Sequence, residues 1–487
     1  MTISKIKIDH KKIFLKVLIF IFIFSLVSGP FIPDLIISVS SLFFIYFMIK
    51  KKLFSNIFDN EVVSFLILFY IYIFFNSFIS HNILISLKSA IPFVRFIFFA
   101  LLVSYIFQKK DYKIFTLYTF VSLYSLIFID CIFQVIYGFN VLGYPLDINR
   151  VSGIFGDELI LGSFVSRTYG IFIFLLFSIS PKNRIILFFY VTSICLIMVI
   201  LSAERTALAI YLIIIFFTFL YLSFKNKFLI IIILSISILA GFSINENSYK
   251  RIIDHTYHQV TENDNINFFS FRHQLHFITA FEIFKENVFL GAGIKSFRNL
   301  CGETKYIKKI EKIIDNQESN KFIAPYDGIY NLNNDDGYSL ISLSFKSDTN
   351  IPLNPKKSVK KQTINKSKNY FKSFIDNGDK FSKGDLLFIF YEYKNGCNTH
   401  PHSFFMQFLS ELGVVGTLFF IIIYFRISAY LFKQVFLTSI KNTDYFVMVI
   451  FFATLFPLLP SGNFFNNYLS ILTFLPLGLL NLWKSKH

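Results

Sequence analysis

The sequence predicts an all-α polytopic membrane protein of about twelve transmembrane helices. One large periplasmic loop, carrying amphipathic helices and a small β-rich insert, interrupts them. Three observations predict this. The 487 residues are 54% apolar and only 16% charged, against roughly 45–50% and 25% in a soluble domain. Apolar runs of about 17–25 residues, the length that crosses the hydrocarbon, recur along the chain. The net charge of +17, from 47 Lys and Arg against 30 Asp and Glu, is spread unevenly over the links between them. On a soluble protein that surplus points to nucleic acid. On a membrane protein it records topology, and no nucleic-acid partner is expected.

The runs lie at about 13–29, 32–49, 61–79, 91–107, 113–137, 158–180, 184–201, 206–223, 227–243, 404–431, 444–460 and 465–483. The first follows Lys5, Lys7, Lys11 and Lys12 as a signal peptide would. It lacks an Ala-x-Ala-like cleavage site and runs on into further spans, so it reads as an uncleaved helix. Alternate links carry most of the cations, among them Lys50, Lys51, Lys52, Lys109, Lys110, Lys182, Arg184, Lys227, Lys433 and Lys484. The short links on the other side carry little more than Lys88, Arg150 and Arg205. The positive-inside rule then makes both termini cytoplasmic. The chain divides into a membrane region at 1–243 with about nine helices, a periplasmic loop at 244–403, and a second membrane region at 404–487 with about three.

The loop holds 22 Lys and Arg against 18 Asp and Glu, so most of the positive charge lies on the cytoplasmic rim. Of the four cysteines, Cys131 and Cys195 fall in apolar spans and read as small buried hydrophobes. Cys301 and Cys397 lie in the loop, on the oxidising side. A bridge between them is favoured over two free thiols; it is worth up to about 4–5 kcal/mol in the chain-entropy model. The insert, about 303–395, opens with a helical stretch. Phe322 to Tyr330 and Phe381 to Phe388 then alternate apolar residues with Gly-Asp turns, which reads as short strands. The two phrases resemble the halves of a biotinyl/lipoyl-type barrel sandwich. The lysine-bearing hairpin tip is absent, so an accessory domain without chemistry is expected. The basic stretch 355–372 reads as a mobile loop.

Ionisable residues beside spans are costly and mark candidate sites. The first group is Ser202-Ala203-Glu204-Arg205-Thr206, whose arginine fork suits phosphate oxygens. The second is Ser270-Phe271-Arg272-His273, which opens an amphipathic stretch with Leu275, Ile278, Phe281 and Phe284 on one face, suited to a membrane surface. The third runs from Thr399-His400-Pro401-His402 to Glu411, inside the next span. Two histidines flanking one proline do not complete a four-ligand metal set, so neither metal nor other cofactor is expected. A histidine acting as general base fits better.

These segments resemble the O-antigen ligase/polymerase family of bacterial inner-membrane glycosyltransferases. Arg150-Val151-Ser152-Gly153-Ile154-Phe155 resembles its Arg-x-x-Gly-x-Phe segment, and Ser202 to Arg205 its Ser-x-x-Arg turn. Arg272 with Gly291-Ala292-Gly293 resembles its Arg…Gly-x-Gly loop, and His400 to Gly413 its His-x-His-Asn…Glu-x-Gly helix entry. The resemblance spans roughly residues 60–480, with Ser403 standing where the family has Asn. It implies transfer of a glycan from an undecaprenyl diphosphate carrier to an acceptor hydroxyl, on the lipid A-core or on another glycan. Catalysis would be metal-independent and inverting. Arg205 and Arg272 would clamp the leaving diphosphate. His402 would be the base, with His400 as runner-up. Arg150, Glu158 and Glu411 would contact the substrate or orient these groups. The competing class is a non-enzymatic polysaccharide exporter or flippase. Transporters place polar groups near the bilayer midplane, whereas here they gather at one rim.

Overall fold

The computed structural model describes residues 10–54, 58–147, 150–261, 269–315, 321–323, 328–335, 338–345, 370–373, 380–382, 384–391, 396–438 and 442–482. The expectations for the basic stretch up to residue 369, for the Ala324 to Asp327 turn and for the terminal lysines fall outside these residues.

Nine apolar helices come first. They are α1 (His10–Ser25), α2 (Phe31–Lys50), α3 (Glu61–Asn76), α4 (Ile83–Ile106), α5 (Lys110–Tyr137), α6 (Leu161–Ile179), α7 (Arg184–Leu201), α8 (Arg205–Tyr221) and α9 (Phe224–Ile244). Polar helices follow: α10 (Glu246–Tyr249), α11 (His255–Thr261), α12 (Phe271–Glu286), α13 (Phe297–Leu300) and α14 (Thr304–Asp315). Six short strands come next, β1 (Lys321–Ile323), β2 (Gly328–Asp335), β3 (Tyr338–Phe345), β4 (Tyr370–Ser373), β5 (Lys380–Phe381) and β6 (Leu386–Tyr391). They form two antiparallel three-stranded sheets, ordered β1-β6-β4 and β3-β2-β5. The chain closes with α15 (Phe404–Phe432), α16 (Asp444–Thr454) and α17 (Asn467–Leu477).

The protein is a multi-pass α-helical membrane protein. A helix underlies each of the twelve apolar runs, but among the described residues eight are long and apolar enough to cross a bilayer. Against the expected count of about twelve, the described parts of α1, α8, α16 and α17 are shorter than these eight spans. For the last two the reason is local. Pro457 and Pro460 cannot continue a helix, so α16 stops at Thr454. Asn466 then caps α17 through the Tyr468 and Leu469 amides.

Helix α6 is the hub, buried along nearly its whole length, whereas α9, with few buried residues, stands at the periphery. Close approach to α6 depends on glycine. A Cβ on Gly170 would sit 2.4 Å from Ile450 Cγ1 of α16, and one on Gly162 2.2 Å from Ser202 Oγ.

Helix α12 does not bury the face the sequence suggests. Leu275, His276, Thr279, Ala280 and Ile283 are buried, while Phe281 stays exposed. The helix is held by protein rather than spread on a surface. Ile310 and Tyr306 of α14 pack beneath it. Lys309 pairs with Glu282 at 2.7 Å, and Lys305 pairs with Glu286. Cys301 and Cys397 are bonded, with Cα atoms 4.9 Å apart. This ties the end of α13 to the chain entering α15.

Candidate active site

The site begins with a broken helix. Gly413 interrupts α15 with φ 64° and ψ −164°, and the carbonyls before it lose their helical partners. The 288–293 segment fills the gap like a short strand. Ala292 N donates to Ser410 O at 2.9 Å and Gly293 N to Glu411 O at 2.8 Å. Beyond the break, Val414 N donates to Val288 O at 2.8 Å. Asn76 Nδ2 of α3 donates to Leu290 O at 2.6 Å, and Ser86 Oγ of α4 to Ile294 O at 2.7 Å. Irregular backbone in a membrane protein persists only where protein satisfies it, and here every strand of the knot does so. The glycines are a steric requirement. A Cβ on Gly291 would lie 2.4 Å from Gly413 N, and one on Gly413 2.5 Å from Gly291 N.

Glu411, fully buried, belongs to this knot. Gln407 Nε2 donates to its Oε2 at 2.9 Å, and Phe297 N approaches Oε1 at 3.4 Å. Gln407 Nε2 also reaches Asn463 Oδ1 at 2.9 Å. Glu411 therefore fixes the turn at Lys295–Phe297, where Lys295 itself holds φ 60°.

Just before α15 the backbone turns left-handed at His402, φ 55°, and Ser461 N donates to its carbonyl at 2.9 Å. Ser403 Oγ then caps the helix by accepting Met406 N. Four imidazoles gather here. The His402 ring centroid lies 4.2 Å from that of His400, 5.1 Å from His276 and 5.4 Å from His273. His273 and His276 share one face of α12 because they are three residues apart. Asn398 accepts Thr399 N on Oδ1 at 2.7 Å, which leaves Nδ2 to donate to His402 Nε2 at 3.0 Å. His402 then carries its own proton on Nδ1.

The main charges these rings feel are positive. Burial, then His400, His276, His273 and Arg272, push His402 down to about 2. Burial and His276 bring His400 to about 4, and burial, His276, Arg272 and Arg205 bring His273 to about 4. Burial also lowers His276. Arg205 and Arg272 thus converge on His273, and Arg272 on His402. Arg205 opens α8, its Nη1 3.4 Å from Thr256 Oγ1, with Arg251 close enough to act on it. Among the described residues no three His, Cys, Asp or Glu side chains are placed to hold a metal ion.

Arg150 and Glu204 do a different job. Arg150 Nη2 stands 3.4 Å from Glu204 Oε1 and donates to Leu159 O at 2.8 Å, while Nε donates to Ser202 O at 3.0 Å. Glu204 Oε1 accepts Gly162 N at 3.0 Å. Burial raises the Glu204 carboxyl, and Arg150 offsets this. The pair staples the 150–162 link to the turn that aims Arg205. Glu158 is exposed and has no side-chain partner among the described residues. Reading motifs missed His276, Asn398 and Arg251. The His-x-x-His spacing after Arg272 was a legible signal for the first; nothing in the sequence pointed to the others.

The neutral histidines predict a pH effect on stability. An unfolded histidine titrates near 6.5, whereas folded His273 and His400 titrate near 4. Across that window the unfolded chain binds more protons, so stability is full above it and is lost as pH falls. Thermal unfolding of the purified protein is expected to shift downward between pH 6.5 and 4. The slope should be shallower in His273→Gln/His276→Gln, and an unchanged slope would contradict the assignment.

Residues 165–332 match a family model described as O-antigen ligase. Neither a curated protein nor a solved structure matches the chain. The matched stretch is shorter than the motif resemblance. It carries Arg205, Arg272 and Gly291-Ala292-Gly293, and ends before His400. Across this segment the chain resembles the O-antigen ligase family.

Proposed function

We propose that the chain transfers a glycan from an undecaprenyl diphosphate carrier to an acceptor hydroxyl in surface-polysaccharide assembly, at the end of the bundle that bears the large loop. That end is periplasmic and both termini are cytoplasmic in this reading, in line with the charge of the links. The family match supports a role in polysaccharide assembly by an enzyme of this kind. The observation that carries the mechanism is the buried, neutral His402 beside Arg272, with Nε2 held by Asn398.

The acceptor hydroxyl takes the place of Asn398 at Nε2. Its proton passes to His402 as its oxygen attacks the anomeric carbon from the face opposite the diphosphate. The bond from that carbon to the phosphate oxygen breaks, the anomeric centre inverts, and the diphosphate leaves with the electron pair. Arg205 and Arg272 neutralise the charge that develops there, which removes the need for a metal. The arriving diphosphate also offsets Arg272, which adds to burial in depressing His402, so donor binding raises the basicity of the base that must act on it.

Arg205→Ala and Arg272→Ala in the native host test this. Each is expected to insert normally, to abolish lipid-A-linked polymer and to accumulate the lipid-linked donor. Wild-type surface glycan in both would overturn the site. Loss of the length ladder with one repeat still attached marks a polymerase; loss of all attached repeats marks a ligase. An exporter would instead give no glycan transfer when purified protein, donor and acceptor are mixed.

A further inference from the structure

Helices α1, α2, α4 and α5 line an open cavity of about 710 Å³ that runs from Ile23 and Leu35 to Phe14, Phe47 and Thr116, the last at the end of the bundle remote from the His–Arg cluster. That is within the roughly 300–1,000 Å³ range of small-molecule pockets. Its walls are apolar, among them Leu18, Val39, Phe44, Phe99 and Phe120. Its place is fixed by α5. The far end of that helix, at Gln134, hydrogen-bonds Ser152, and the adjoining Val151 bonds Leu201 beside the Arg205 turn. Thr116, which lines the cavity, lies eighteen residues before Gln134, or about 27 Å along the axis.

Two further features distinguish this cavity from an ordinary lipid-facing gap. Thr116 is 3% exposed and its Oγ1 has no hydrogen-bond partner among the described residues, although a buried hydroxyl costs free energy unless bonded. Lysines also ring the nearby mouth. Lys16 Nζ of α1 reaches across to the Phe115 ring of α5, 5.7 Å from its centroid, and Lys113 Nζ lies 5.8 Å from that of Phe174. Lys12 and Lys110 stand one turn further out. Asp111 and Asp444 are the acidic groups at this mouth, so cations prevail.

We propose that this cavity is a binding site for one anionic glycerophospholipid. An acyl chain fills the apolar chamber, a glycerol ester carbonyl accepts the Thr116 hydroxyl, and the headgroup phosphate meets Lys16 and Lys113. Both depth and charge select this occupant. The hydroxyl lies between the chain and the cations, as the ester lies between acyl tail and phosphate.

The test is native mass spectrometry of the full-length protein released from nanodiscs holding equal phosphatidylglycerol and phosphatidylethanolamine of matched chains. One phosphatidylglycerol is expected to stay bound in preference to phosphatidylethanolamine. Thr116→Val should weaken its retention about fivefold, the loss of one hydrogen bond. Ser40→Phe, which narrows the chamber, should weaken it further. If Ser40→Phe does not fold, Lys16→Gln/Lys113→Gln decides, because it should erase the headgroup preference and spare the apolar walls. Equal retention of the two lipids, retention unchanged in folded variants, or a polyprenyl phosphate in place of the phospholipid would each overturn the proposal.

Discussion

Replacing His402 by asparagine is expected to lower the rate of glycan transfer by about 10²–10⁴-fold, the usual contribution of a positioned general base. Asparagine is the informative substitution because the backbone at 402 holds φ 55°. Asn tolerates that left-handed conformation, whereas alanine would add strain and blur loss of chemistry with loss of shape. The Ser461 amide bond to the 402 carbonyl is made by backbone and survives the change. Measured with purified donor and acceptor, kcat should fall with little change in KM for the donor, since Arg205 and Arg272 remain. The pH profile adds a readout that a structural role would not move. In the free enzyme His402 is held at about 2, so kcat/KM should show no acid limb from this group near neutral pH. With the diphosphate bound the Arg272 charge is offset, so the acid limb of kcat should lie at higher pH than that of kcat/KM. His402→Asn with wild-type turnover would remove His402 from the mechanism and leave His400 to be tested in its place.

Gly291→Val is expected to be strongly destabilising. Even a Cβ at this position would sit 2.4 Å from the Glu411 carbonyl carbon, the Leu412 amide and the Gly413 amide. None of these can swing aside as a side chain could. Gly291 also holds φ 73°, which a β-branched residue resists. If the 288–293 segment leaves the break in α15, the Ser410 and Glu411 carbonyls lose their partners; if the break closes, the Ala292 and Gly293 amides lose theirs. Overpacking and unmet buried polar groups together place the cost above about 3 kcal/mol. In a protein of ordinary marginal stability that is enough to deplete the folded form. The expected result is low recovery of monodisperse protein and a lowered unfolding temperature. Gly302→Ala is the control, since the nearest atom to its added Cβ is 3.9 Å away. Equal recovery of the two variants would contradict the knot.

The membrane class, the uneven charge of the links and the arginines and histidines of the site were legible in the sequence. These rest on composition, apolar run length and short local patterns, which need no knowledge of what packs on what. Arg205, Arg272 and His402 stood out because a charge or imidazole beside an apolar run has few bland explanations. Run length alone overstated the spans, since Pro457 and Pro460 cut short a run that hydropathy joins.

Only the tertiary structure decided what each polar group faces. Periodicity gave α12 an apolar stripe, but the helix turns His276 inward with Leu275, because Ile310 and Tyr306 of α14 and the chain before α15 supply the partners. Arg150 looked like a substrate contact, and it spends its guanidinium on Glu204, Ser202 and Leu159. The Gly-x-Gly segment stood out only as part of a family pattern, and it is the piece that fills a broken helix more than a hundred residues later in the chain. Such facts are pairings between distant segments. A sequence read locally records the residues at both ends of each pairing, but their meeting is set by the packing of the whole bundle.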